Sequence, residues 1–130
     1  MESLKYFKIS EFNCKCCNRL GHLMSINLLM KLDRIRHQVQ QPIVIHSGVR
    51  CWNYNEKVNG EMASAHLTGL AVDIEVTDNK TRFKIIEASM DFKINRIGVF
   101  RNHIHLDIDP SKPKNVIWYS ADRLTDDFEF

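Results

Sequence analysis

The sequence predicts an α+β fold, a small single domain spanning residues 1–130 in which a mainly antiparallel sheet is packed by helices. Three observations predict it. An amphipathic helical stretch, SINLLMKLDRIRHQVQ, precedes several short β-branched or alternating runs. Two of those runs, Arg96 to Phe100 and Ile104 to Ile108, are separated by a tight connection at Arg101-Asn102, the mark of a hairpin. The 130 residues, 44% of them hydrophobic, suffice for one core, and no internal repeat or low-complexity linker divides them.

The elements follow in order. FKISEFNCKCCN has too little periodicity for a long helix. In the first helix Ser25 is placed to cap, and Ile26, Leu29, Leu32, Ile35 and Val39, with Leu28 beside them, recur at three- and four-residue intervals. It is expected to end before Gln41-Pro42, because proline disfavours helix in the preceding residue. His37, near its C-terminal end, reads as a surface residue. Ile43-Val44-Ile45 reads as a strand, and WNYNEKVNGE as a short helix or loop closed by Asn59-Gly60. Ala71 to Val76 alternates, which places Ala71, Asp73 and Glu75 on one strand face. Asp78 to Phe92 includes a second helix, with Phe83, Ile86 and Met90 read as its core stripe. After the hairpin, a loop with Pro110 and Pro113 leads to VIWY, an expected edge strand, and the tail LTDDFEF reads as peripheral.

Charge and hydropathy exclude some functions. A formal net charge of +2 is too small to argue for a nucleic-acid partner, and no apolar run approaches the ~20 residues of a membrane span. The chain is read as a monomer with neither partner. MESLKYFKIS lacks the apolar core of a secretory signal, so the expectation is a chain cytoplasmic as synthesised.

The chemistry concentrates between Ile45 and Ile74 and in the later run HIHLDID. His66 and Asp73 stand seven positions apart, while His103 and His105 share one side of the return strand. Two imidazoles and a carboxylate supply three ligands for a tetrahedral Zn²⁺ and leave a fourth position for water, as in catalytic zinc sites. A carboxylate on a partly buried strand needs a partner, which is a metal, a salt bridge or the strand end that it caps. Arg50, just beyond a strand end, is a surface charge in one reading. Beside a metal it is a clamp whose planar fork holds a carboxylate. Cys14, Cys16, Cys17 and Cys51 remain open among reduced thiols, a second metal site and a disulfide to Cys51, since Cys-x-Cys-Cys is not the usual paired spacing.

SGVR, Asn55 and Val58, then SAHLTGLAVDI, then HIHLD form a specific combination in which Ser-x-His-(x)₆-Asp precedes a His-Leu-Asp strand. This combination resembles the zinc D-Ala-D-Ala carboxypeptidase family. Its members include those carboxypeptidases and the phage L-Ala-D-Glu endolysins, with relatives among the vancomycin-resistance dipeptidases and the hedgehog signalling domain. The similarity runs from about Phe7 to Trp118 and implies the hedgehog/D,D-peptidase fold. By this resemblance His66, Asp73 and His105 match the three zinc ligands, Arg50 the arginine that binds a substrate carboxylate or carbonyl, and Ser64 a polar residue at the rim. The implied chemistry is zinc-assisted attack of water on a peptide carbonyl, with a base to move the proton.

The chain departs from the pattern at one position. Many relatives place a Glu or Asp three residues before the last histidine ligand, where this chain has Asn102, and an amide cannot be that base. His103 faces the same side as His105, and peptidases similar to lysostaphin use the first histidine of His-x-His near the reacting water. His103 is therefore read as base or transition-state stabiliser, the other reading being that it merely packs or hydrogen-bonds. Asp107 is the second candidate base, or else it orients a ligand histidine. The expected function is a zinc peptidase cleaving peptidoglycan stem peptides, as a carboxypeptidase or endolysin-type enzyme that reaches the wall by release or on a virion. The alternative is a zinc-binding recognition module that has lost catalysis.

Overall fold

The structure is a computed structural model and describes residues 4–119; the tail LTDDFEF lies outside the described residues. Among the described residues three α-helices, α1 (Ile26–Val39), α2 (Trp52–Lys57) and α3 (Asn79–Asp91), accompany five strands. The strands are β1 (Ile45–Ser47), β2 (Ala71–Glu75), β3 (Arg96–Val99), β4 (His103–Asp107) and β5 (Val116–Tyr119). They form one sheet in the order β1-β2-β4-β3-β5, antiparallel throughout except for the parallel pairing of β3 with β5. The predicted α+β class with a mainly antiparallel sheet is what the chain adopts. No helix among the described residues is long and apolar enough to cross a membrane.

Each element has a local cause. Ser25 Oγ accepts the Leu28 amide at 3.3 Å to start α1, and Gln40 ends it in the left-handed region, two residues before Pro42. Leu28, Leu29, Leu32, Ile35 and Val39 are buried as the periodicity requires, but Ile26, in the first turn, is half exposed. β1 is displaced toward Ser47 from the expected Ile43–Ile45, because its pairing with β2 runs from Ile45 opposite Ile74 to Ser47 opposite Asp73. Asp78 Oδ2 accepts the Thr81 amide at 2.9 Å and caps α3.

Of the stripe expected on α3, Ile86 packs partly buried against the core, but the other two residues are corrected. Phe83 and Met90 are 67% and 50% exposed, and the buried positions are Arg82, Ile85, Ala88 and Ser89. Arg82 turns inward because its guanidinium donates to the backbone carbonyls of Val76 and Arg101, at 3.4 and 2.9 Å. Ser89 is accommodated by donating to the Ile85 carbonyl at 2.6 Å.

Strand alternation then separates two chemistries. Val72, Ile74, Ile97, Ile104 and Leu106 join one buried apolar cluster with the helices. On the other face the cross-strand register lines up Ser47, Asp73, His105, Gly98 and Trp118 in a single row. Glu75 pairs with His103, and Asp107 lies between Ala71 and Arg96.

Candidate metal centre

The row across the open face forms the floor of a groove of about 1000 Å³. His66 enters from a 3₁₀ turn, Ala65–Thr68, that packs against the sheet beside β2. Ser64 caps that turn, its Oγ accepting the His66 amide at 3.2 Å. The His66 ring is buried, with Nδ1 2.8 Å from the Gly48 carbonyl. A carbonyl only accepts, so Nδ1 carries the proton and Nε2 presents a bare lone pair. Nε2 has no hydrogen-bond partner, yet it lies 3.3 Å from Asp73 Oδ1. Two acceptor atoms facing one another inside a protein need a cation between them.

His105 reaches the same point from β4. Its Nδ1 is 3.0 Å from Asp73 Oδ1, and its Nε2 donates to Asp107 Oδ2 at 2.7 Å. The ligand atoms of His66, Asp73 and His105 all lie within 4.8 Å of one another. Two imidazoles and one carboxylate are the donor set of open, catalytic zinc sites, and the orphaned Nε2 of His66 fits a metal there.

Electrostatics reinforce the arrangement. Burial alone would raise the Asp73 carboxyl, but the hydrogen bond to His105 and the closeness of the His66 and His105 rings hold it well below its ordinary value. Burial would likewise lower His105, but the Asp107 and Asp73 carboxylates raise it to about 8. Asp107 is almost fully buried, and both of its oxygens are occupied. Oδ2 takes His105, while Oδ1 takes Arg96 Nε at 2.8 Å and the Asp109 amide at 3.1 Å. A ligand histidine backed by a carboxylate is the usual way of fixing its tautomer.

The remaining candidates line the same groove. Arg50 donates from Nε to Ser47 Oγ, from Nη1 to Asn55 Oδ1 and from Nη2 to Asp73 Oδ2, each at 3.2 Å. Asn55 is itself held by donating to the Glu61 carbonyl at 2.8 Å, and a Cβ at Gly60 would fall 2.1 Å from its Oδ1. His103 stacks on Phe100, centroids 4.5 Å apart and planes within 5°, and lies 5.8 Å from the His46 ring. Asn102 is exposed on the β3–β4 turn, where its carbonyl accepts the Val76 amide at 3.0 Å.

Several groove residues went unread in the sequence. His46 carries no motif beyond a histidine in a short strand. Trp118 lies 5.5 Å from His105 and beneath the Arg96 guanidinium, on a strand read only as an edge. Arg96 was legible only as a strand residue. Its pairing with Asp107 depends on β3–β4 register.

A mainly antiparallel sheet that offers two imidazoles and a carboxylate on the floor of an open groove defines a domain of the metallopeptidase type. The chain belongs to the peptidase M15 family, whose model, described as Peptidase M15, matches residues 5–107. That match takes in Arg50, His66, Asp73, His103 and His105 and ends at Asp107, before Trp118 and β5. No curated protein matches the chain.

Proposed function

We propose that this chain is a zinc-dependent peptidase that hydrolyses peptide bonds in peptidoglycan stem peptides, as a D,D-carboxypeptidase or an endopeptidase of the endolysin type. The observation that carries the reading is the convergence of His66 Nε2, Asp73 Oδ1 and His105 Nδ1 on one point, with the other ring nitrogens engaged by Gly48 and Asp107. When bound there, zinc supplies Lewis acidity, polarising a peptide carbonyl and making water more acidic.

The protein's own groups supply the rest. Arg50 spends three of its five N–H donors on Ser47, Asn55 and Asp73, so its guanidinium is pre-oriented at the groove wall. The two that remain suit a substrate carboxylate or carbonyl. Ser64 holds the His66 turn and offers a polar edge to the substrate. His103, its ring supported by Phe100, takes the proton of the attacking water on a ring nitrogen and returns it to the leaving amine. Asp107, with both oxygens engaged, acts through His105 as a positioning residue rather than as the base.

The experiment is hydrolysis of purified muropeptides by the full chain, before and after chelation and after zinc is restored. Release of amino acids or shortened stems that chelator abolishes and zinc recovers is the expected result. A protein that binds zinc and muropeptide but cleaves nothing would favour the second reading, a recognition module, which rests on Asn102 replacing the carboxylate common in relatives.

A further inference from the structure

We propose that Cys14, Cys16, Cys17 and Cys51 bind a second zinc ion, a structural one, at the corner of the fold that carries Arg50. The four sulfurs all lie within 4.8 Å of one another, although Cys51 is 34 or more positions from the others in sequence. Cys14 Sγ is 3.6 Å from Cys16 Sγ, which is 3.3 Å from Cys51 Sγ. Zinc–sulfur bonds of ~2.3 Å in a tetrahedron place sulfurs roughly 3.8 Å apart, so small shifts bring all four to one ion.

The backbone is arranged for such a cluster. Residues 14–19 close on themselves, Asn18 N donating to the Cys14 carbonyl at 2.8 Å and Cys14 N to the Arg19 carbonyl at 2.8 Å. Asn18 turns through the left-handed region, which folds three cysteines onto one side of the loop despite the irregular Cys-x-Cys-Cys spacing. Two sulfurs already serve as acceptors. The Cys51 amide donates to Cys14 Sγ and the Tyr54 amide to Cys51 Sγ, each at 3.4 Å. Amides aimed at sulfur favour the thiolate, the form that binds metal. Cys14 is fully buried while Cys16 is exposed, so the cluster opens to solvent on one side and an ion can enter.

The location gives such an ion a task. Cys51 follows Arg50 directly and caps α2. Two residues before Cys51, Val49 N donates to the Phe12 carbonyl at 3.1 Å, and the neighbouring Gly48 carbonyl holds His66. A zinc joining residues 14–17 to Cys51 ties the N-terminal segment to the loop that positions both the arginine and a ligand of the first site. This inference does not depend on peptidase activity.

The test is metal analysis of the full chain, purified under reducing conditions, together with its His66→Ala/Asp73→Ala variant. We expect two zinc ions per chain in the first and one in the second. Cobalt(II) substitution of either should give the intense near-ultraviolet absorption of thiolate-to-metal charge transfer, and a thiol reagent should reach the cysteines only after a strong chelator is added. Cys16→Ser should weaken that absorption. If the variant does not fold, the spectrum of the unmutated protein still decides. Four freely reactive thiols in zinc-saturated protein, no charge-transfer band, or a mass lower by two hydrogens (a disulfide) would each overturn the proposal.

Discussion

His105 stands between two carboxylates, and that position sets how the proposed site would take up metal. Burial opposes its charge, but Asp107 and Asp73 raise it to about 8, above the ~6.5 of an unperturbed histidine. A raised folded-state value means that the charged ring stabilises the metal-free fold fully below about pH 6.5, and that this contribution is lost as pH rises through about 8. Zinc requires an unprotonated Nδ1, so its affinity runs the opposite way. It should climb roughly tenfold per pH unit toward pH 8 and then level off. Competition titrations between pH 6 and 9 check this, and a flat profile would refute it. Asp107→Asn should weaken zinc binding about 10- to 100-fold, the usual effect of removing a carboxylate behind a ligand histidine. His103→Ala should keep its zinc and lose about 10²–10⁴-fold in turnover, the usual worth of a positioned acid–base group. If instead Asp107→Asn is metal-replete and inactive while His103→Ala remains active, the proton-transfer role passes to Asp107. At this scale the sequence displayed the side chains but not their pairings. Period-two alternation put His103, His105 and Asp107 on one face, whereas the Asp107–Arg96 contact depends on a register no local pattern specifies.

Among the elements, α1 and α3 show when periodicity can be trusted. In α1 the buried stripe is made of leucine, isoleucine and valine, so hydropathy and burial coincide except at Ile26 in the first turn. In α3 the buried stripe is Arg82, Ile85, Ala88 and Ser89, in which Ile85 is the one large apolar side chain among small or polar neighbours. The aromatic Phe83 is left outside because Arg82 occupies the inner position and satisfies the carbonyls of Val76 and Arg101. Stability should follow burial and not hydropathy. Phe83→Ser should change unfolding free energy by no more than about 0.5 kcal/mol, as surface substitutions do. Ile85→Ala, at a fully buried position, should cost about 2–5 kcal/mol. Urea denaturation of the two variants checks the contrast, and an equal loss in both would restore the Phe83 stripe to the core. The β1 shift has a related origin. Ile43-Val44-Ile45 is the β-branched run, but pairing with β2 extends to Ser47 because Ser47 meets Asp73 there.

Across the whole molecule, one sheet divides the labour, with its inner face filling the core and its outer face carrying the groove. The outer row from Ser47 through Asp73, His105 and Gly98 to Trp118 crosses all five strands. No single stretch of sequence therefore contains the site, and its two ends were the parts least visible before folding. Gly98 joins the two aromatic supports of the groove. A Cβ there would lie 2.9 Å from the Trp118 ring and 2.9 Å from Phe100. Trp118 backs His105, and Phe100 stacks on His103. A single methyl group must therefore displace the ring behind a proposed metal ligand, the ring behind the proposed base, or both. Gly98→Ala should destabilise the protein by about 1–3 kcal/mol through overpacking. Zinc affinity should change little, because Asp107 and Asp73 still fix the His105 ring. Turnover should fall, because the displaced Phe100 ring is the one stacked on His103. Unfolding curves, zinc titration and muropeptide hydrolysis of this one variant separate the three effects. Unchanged stability and turnover together would mean that neither aromatic supports the site.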